Sequence, residues 1–160
     1  MKPNYIHKTV SCNDMYGAAN GLIQRLQAVQ NPAARLVTRT QRRDHISPVL
    51  RQLHWLPVRQ RVTFKLAVLV FKALRGLAPR YLADDCQLVT DAGRRHLLRS
   101  SESATCLLQR TNTRFGDRAF RVARPSVWNS LPADLRHPDL SLGQFRRALK
   151  TFLFNQFCSA

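Results

Sequence analysis

The chain reads as a mainly α-helical protein, a small bundle around one central helix at about 57–75, with room for one short β-hairpin near 107–122. Three observations point there. The stretch LHWLPVRQRVTFKLAVLVFKAL, from Leu53 to Leu74, is marked at both ends: Pro57 suits a first helical position, and Lys72, Arg75, Gly76 and Pro79 are stop signals. Its apolar residues spread over an arc of roughly 240° at 100° per residue, too wide for a helix packed on one side only. Two further segments, one on each side of it, repeat apolar residues at helical spacing.

Taken in order, residues 1–11 show no period and are expected to form a disordered N-terminal segment. A helical pattern begins near Ala18, with Leu22, Ile23, Leu26, Val29, Ala33, Leu36 and Val37 on one face and Gln24, Arg25, Gln27 and Gln30 off it. Pro32 is expected to kink or split this helix, because its ring clashes with the preceding turn and removes a hydrogen bond. Thr38 to His45 is a polar, basic connector. Ser47 followed by Pro48 reads as an N-cap with proline in the first turn, opening a short helix that ends near His54.

The central helix then starts at Leu56–Pro57, since the residue before a proline avoids helical geometry. Pro79 to Cys86 makes a short helix or turn, and residues 91–103 form a second basic connector rich in turn formers. LLQRTNTRF and RAFRV, parted by Gly116–Asp117, alternate loosely enough to form the hairpin. Pro125 to Arg136 reads as a short helix and a turn around Trp128, with Pro132 opening another turn. Ser141 caps the last helix, where Leu142, Phe145, Leu149, Phe152 and Leu153 recur at helical spacing and Arg146, Arg147 and Lys150 take the outer face. Four or five helices are expected, forming one domain over residues 12–157, with 158–160 as a tail.

Composition limits the function classes. A chain of 160 residues with 44% apolar content can bury a core. It holds 26 Lys plus Arg against 9 Asp plus Glu, a formal net charge of +17, which points to a polyanionic partner. The excess sits forward: residues 1–80 carry 14 basic and 2 acidic side chains, residues 81–160 carry 12 and 7. The longest apolar run, Leu66 to Phe71, falls far short of the roughly 20 residues that span a bilayer, so no membrane partner is expected. Cys12, Cys86, Cys106 and Cys158 are too scattered for a paired motif, and nothing at the N-terminus resembles a secretory signal. The expectation is an intracellular protein with reduced thiols, nuclear or cytoplasmic and not secreted.

Lined up, these segments resemble the C-terminal, post-polymerase region of non-LTR (LINE-type) retrotransposon reverse transcriptases of the jockey and chicken-repeat kind. The resemblance is carried by CNDMYGAANGLIQRLQAVQNPAARLV, by RRDHISPVLRQLHWLPVRQRVTFKLAVLVFKALRGLAPRYLADDC, and by RTNTRFGDRAFRVARPSVWNSLPADLR followed by LSLGQFRRALKTFLF. It covers Cys12 to Phe154. The resemblance implies a non-catalytic fragment of an RNA-directed DNA polymerase, since the family's palm and endonuclease have no counterpart here. It also implies a region lying beyond the thumb that helps to hold template RNA or target DNA.

The chemical candidates are weighed against that background. Asp84 and Asp85 look like a polymerase carboxylate pair, but Leu82 stands where the aromatic belongs and the pair follows Pro79 on a short helix. Cys86, His96, Cys106 and His137 lack the close ligand spacing of structural zinc, so no metal or cofactor is expected. No nucleophile elbow or glycine-rich phosphate loop occurs, and no catalytic residue is expected. Trp55 and Trp128, each near a leucine–proline step, read as core anchors before stacking platforms. The basic residues carry the functional expectation: Arg39, Arg42 and Arg43 on the first connector, Arg94, Arg95 and Arg99 on the second, and Arg61, Lys65, Lys72 and Arg75 in a stripe on the central helix. Together they are expected to contact the phosphate backbone of RNA or DNA without sequence preference. The alternatives are an interaction piece that packs on a reverse transcriptase polymerase domain, or a translated transposon relic without function.

Overall fold

A computed structural model describes residues 20–84, 86, 88–89, 105–107 and 120–158 of the chain. Among them lie six α-helices: α1 (Asn20–Thr38), α2 (Ile46–Gln52), α3 (Val58–Leu74), α4 (Arg80–Ala83), α5 (Phe120–Asn129) and α6 (Leu142–Cys158), with a 3-10 turn at Ala133–Arg136. The described residues contain no strand, only one isolated antiparallel bridge between Leu88 and Cys106. The expected N-terminal segment and the second basic connector lie outside the described residues. α6 runs one residue into the expected tail.

The hairpin near 107–122 is corrected where it can be seen. Residues 108–119 lie outside the described residues, but Phe120 to Val122 are helical and open α5. The expected start of that helix at Pro125 is five residues late. Pro125 sits inside α5, where an interior proline costs about 3 kcal/mol. Burial of Ala123, Val127 and Trp128 along the same face outweighs it.

α3 is the hub. It packs against α1, α4, α5 and α6, which is what its wide apolar arc demands. Ala67, Val70 and Phe71 form one cluster with Ala123, Val127 and Trp128 of α5, Leu131 and Leu135 of the following turns, and Phe145, Leu149, Leu153 and Phe154 of α6. The Phe71 and Phe145 rings stack with centroids 4.4 Å apart, and Trp128 lies tilted against Phe145 at 6.0 Å. A second, smaller cluster joins Ala34 of α1 to Val49 and Leu50 of α2, with Trp55 and Phe157 against it.

The helix ends follow backbone bookkeeping. Ser141 caps α6 reciprocally: the Gln144 amide donates to its Oγ at 3.3 Å, and the Ser141 amide donates to Gln144 Oε1 at 3.0 Å. Gly76 takes the left-handed conformation at φ +66° that closes α3, and Leu77 N–H reaches back to the Lys72 carbonyl at 2.8 Å. At the other end Pro57 is extended, with ψ 153°, and stands as the N-cap one residue before the helix. α2 begins earlier than expected, at Ile46 with His45 as its N-cap, so Ser47 and Pro48 occupy its first turn and no side chain caps it.

α1 departs furthest from expectation. It continues through Pro32 as one helix, and it is rotated relative to the pattern in its sequence. Of the seven residues on the expected inner face, only Ile23 packs against the main core, while Leu22, Leu26, Val29, Leu36 and Val37 are exposed. The inward seam is Asn20, Ile23, Gln27, Gln30, Ala34 and Thr38. Its polar members have work there. Gln27 Oε1 accepts the Val58 amide hydrogen at 2.8 Å, satisfying one of the orphan donors at the start of α3. Gln30 Nε2 donates to the Leu56 carbonyl at 3.0 Å, and Arg59 donates to Asn20 Oδ1 at 2.8 Å.

Candidate nucleic-acid interface

The two ends of the expected stripe on α3 have different fates. Arg61 and Lys65 are exposed. Arg75 instead spends its guanidinium on structure: it donates to the backbone carbonyls of His137, at 3.4 Å, and Pro138, and lies over the Phe71 ring at 5.2 Å from the centroid. Lys72 is half-buried. The stripe therefore splits: Arg61 and Lys65, its N-terminal half, stand exposed at one end, while at the other Arg75, also exposed, is engaged with the backbone of His137 and Pro138.

That half gains partners the sequence reading left unassigned. Because Phe145, Leu149 and Leu153 bury one side of α6 against α3, Arg146, Arg147 and Lys150 are carried to the edge of the same contact. The result is a groove of about 770 Å³ between α3 and α6. Trp55, Phe64, Val68 and Leu69 supply an apolar floor. Arg61 and Lys65 from one helix and Arg146, Arg147 and Lys150 from the other supply five cations along its rim, and among the described residues that line it none is acidic. Like charges gathered around a low-dielectric floor concentrate positive potential in the groove.

The connector arginines are held apart from this groove. Arg35 folds the connector by donating to the backbone carbonyls of Gln41 and Asp44, the latter at 2.7 Å, and Asp44 accepts the Gln41 amide hydrogen at 3.1 Å. Arg39, at φ 55°, ends α1, and Arg39, Arg42 and Arg43 are all exposed without lining the groove. Arg94, Arg95 and Arg99 lie outside the described residues.

The two tryptophans, alike in local sequence, differ in place. Trp128 is core, 3% exposed. Trp55 is half-buried, one side against the α1–α2 cluster and the other on the groove. Asp84 is an exposed residue at the C-cap of the one-turn α4, and Asp85 lies outside the described residues.

Around Cys106 the chain builds a buried polar pocket. Burial pushes the Cys106 thiol up to about 12, Cys86 adds to the rise, and Arg124 and Arg136 oppose it. Arg124, 1% exposed, donates to the Leu82 carbonyl at 3.0 Å and to Cys86 Sγ at 3.1 Å. Asn129 brackets the Cys106 backbone, giving a hydrogen bond to its carbonyl and taking one from its amide, each at 2.9 Å. Among the described residues no three of His, Cys, Asp and Glu are grouped to hold a metal ion, and no helix is long and apolar enough to cross a membrane.

No family model, curated protein or solved structure matches the chain.

Proposed function

We propose that the chain is a non-catalytic nucleic-acid-binding module that holds the phosphate backbone of RNA or DNA along the rim of the α3–α6 groove. The observation that supports this most is the convergence of Arg61, Lys65, Arg146, Arg147 and Lys150 on one groove whose described lining residues include no acid. Isolated surface cations are ordinary; five gathered along one apolar-floored groove raise its positive potential and draw a polyanion. Long flexible side chains at a groove edge suit phosphates, which position a strand, better than base edges, which specify it. The binding is therefore indifferent to sequence. The resemblance to a retrotransposon reverse transcriptase tail agrees in chemistry, giving the module a place beside a polymerase that handles RNA and DNA. Arg39, Arg42 and Arg43 remain candidates for a second, peripheral contact.

The experiment is a salt series on the full chain with single-stranded RNA, duplex DNA and an RNA–DNA hybrid, beside an Arg146→Gln, Arg147→Gln, Lys150→Gln variant. Log affinity is expected to fall with log salt by about 0.9 per phosphate contact on duplex DNA and about 0.7 on single strands. The triple variant is expected to lose about 2 to 3 from the magnitude of the duplex slope. An unchanged slope would place the contact elsewhere on the surface. Absence of binding at low salt would remove the reading altogether.

A further inference from the structure

α1 turns a regular apolar seam to solvent. Leu22, Leu26, Val29, Ala33 and Leu36 follow at steps of four, three, four and three residues, the a/d spacing of a coiled coil. Leu22 is 64% exposed, Leu26 58%, Val29 70% and Leu36 81%. Scattered exposed leucines are ordinary, whereas a contiguous row on one helix marks an interaction surface. The helix cannot bury this row by rolling over, because Gln27 and Gln30 on its other side are tied to the start of α3.

The surroundings of the seam describe what fits it. Leu26, Val29 and Ala33 form one wall of a groove of about 610 Å³ whose other wall is α3, with Arg61 and Lys65 on the far side. Arg25 stands exposed on the seam's opposite flank. None of the described residues that line the groove is acidic. The spacing calls for another helix, and the basic flanks call for acidic residues on it. A second copy of this chain would bring its own arginines and a net charge of +17 into the contact, setting like charges against each other.

We propose that this face of α1 is the docking site for a partner's amphipathic helix, apolar at its a and d positions and acidic at the positions flanking them. The apolar row on α1 takes no part in the α3–α6 groove, although the groove beside it shares Trp55, Arg61 and Lys65 with that site.

The probe is a labelled synthetic helix of three heptads with Leu at a and d and Glu at e and g, titrated against the full chain by fluorescence anisotropy. A twin with Lys at e and g is run beside it. The protein variant is Leu26→Gln, Val29→Gln, Leu36→Gln, which removes apolar surface and leaves every charge in place. The Glu helix is expected to bind in the micromolar range, with about tenfold weaker binding by the Lys twin and by the variant. Unchanged melting and unchanged RNA binding of the variant are expected alongside. Equal binding of the Glu helix by the variant would show simple attraction to a basic surface and overturn the proposal. So would equal binding of both twins, no binding at all, or a dimer of the full chain that the variant abolishes. Loss of RNA binding in the variant would give the seam to the nucleic acid instead. Leu36→Gln alone, at the most exposed position, repeats the comparison with the least demand on folding.

Discussion

Burial lifts the Cys106 thiol from an ordinary 9.0 to about 12, and the sign of the stability consequence follows. Above about pH 9 the unfolded chain gives up this proton while the folded chain keeps it, so stability drains away as pH rises through the window up to about 12. Urea unfolding of the protein and of Cys106→Ala between pH 8 and pH 10.5 is the measurement. The midpoint of the parent is expected to fall faster than that of the variant, and parallel curves would contradict the buried thiol. In the folded state Cys106 is also expected to resist alkylation at pH 8, because the thiolate is the nucleophile. Burial is what the sequence suggests for a scattered cysteine, which behaves as a small hydrophobe, whereas the gathering of Cys86, Arg124 and Arg136 around Cys106 was not legible there. Trp55 and Trp128 teach the same point. Both sit near a leucine–proline step, yet burial on all sides came to one and a groove edge to the other, because neighbours distant in sequence decide it.

At the scale of the element, α1 inverts the usual rule that the apolar side faces in. Helical spacing alone assigns Leu22, Leu26, Val29 and Leu36 to the core, and the periodicity was right that they share a face. What periodicity cannot include is the unsatisfied backbone at the start of α3, which draws Gln27 inward. The inversion has a sharp energetic signature. Leu36→Gln, at 81% exposure, is expected to change unfolding free energy by less than about 0.5 kcal/mol. Gln27→Ala is expected to cost about 1 kcal/mol or more, by stripping the Val58 amide and the Asn31 side chain of their partner. Urea denaturation of both variants decides the matter, and the reverse ranking would turn α1 over. The same logic explains Pro32: on an exposed position its missing hydrogen bond leaves a carbonyl that water can satisfy, so the helix runs on.

For the whole molecule, one aromatic contact holds the bundle and shapes the groove together. Phe145 is fully buried between Phe71 and Trp128, and it fixes how α6 lies on α3. Phe145→Ala is expected to cost about 3 to 5 kcal/mol, and any folded remainder is expected to bind RNA with a shallower salt slope as Arg146, Arg147 and Lys150 drift from Arg61 and Lys65. Full salt dependence in a destabilised variant would separate the groove from the site of binding. The sequence by itself determined the helical class, the central place of α3, the stop at Gly76 and the cap at Ser141, because period, capping and glycine geometry are local properties of a chain. It also put the basic charge in view. Only the tertiary structure decided which charges meet: it joined Arg61 and Lys65 to three cations some eighty residues away, engaged Arg75 at the surface with the backbone of His137 and Pro138, and left the apolar row of α1 outside. The physical reason is that a helix specifies its own faces, whereas the partner of each face depends on every other group in the molecule that must be buried or hydrogen-bonded at the same time.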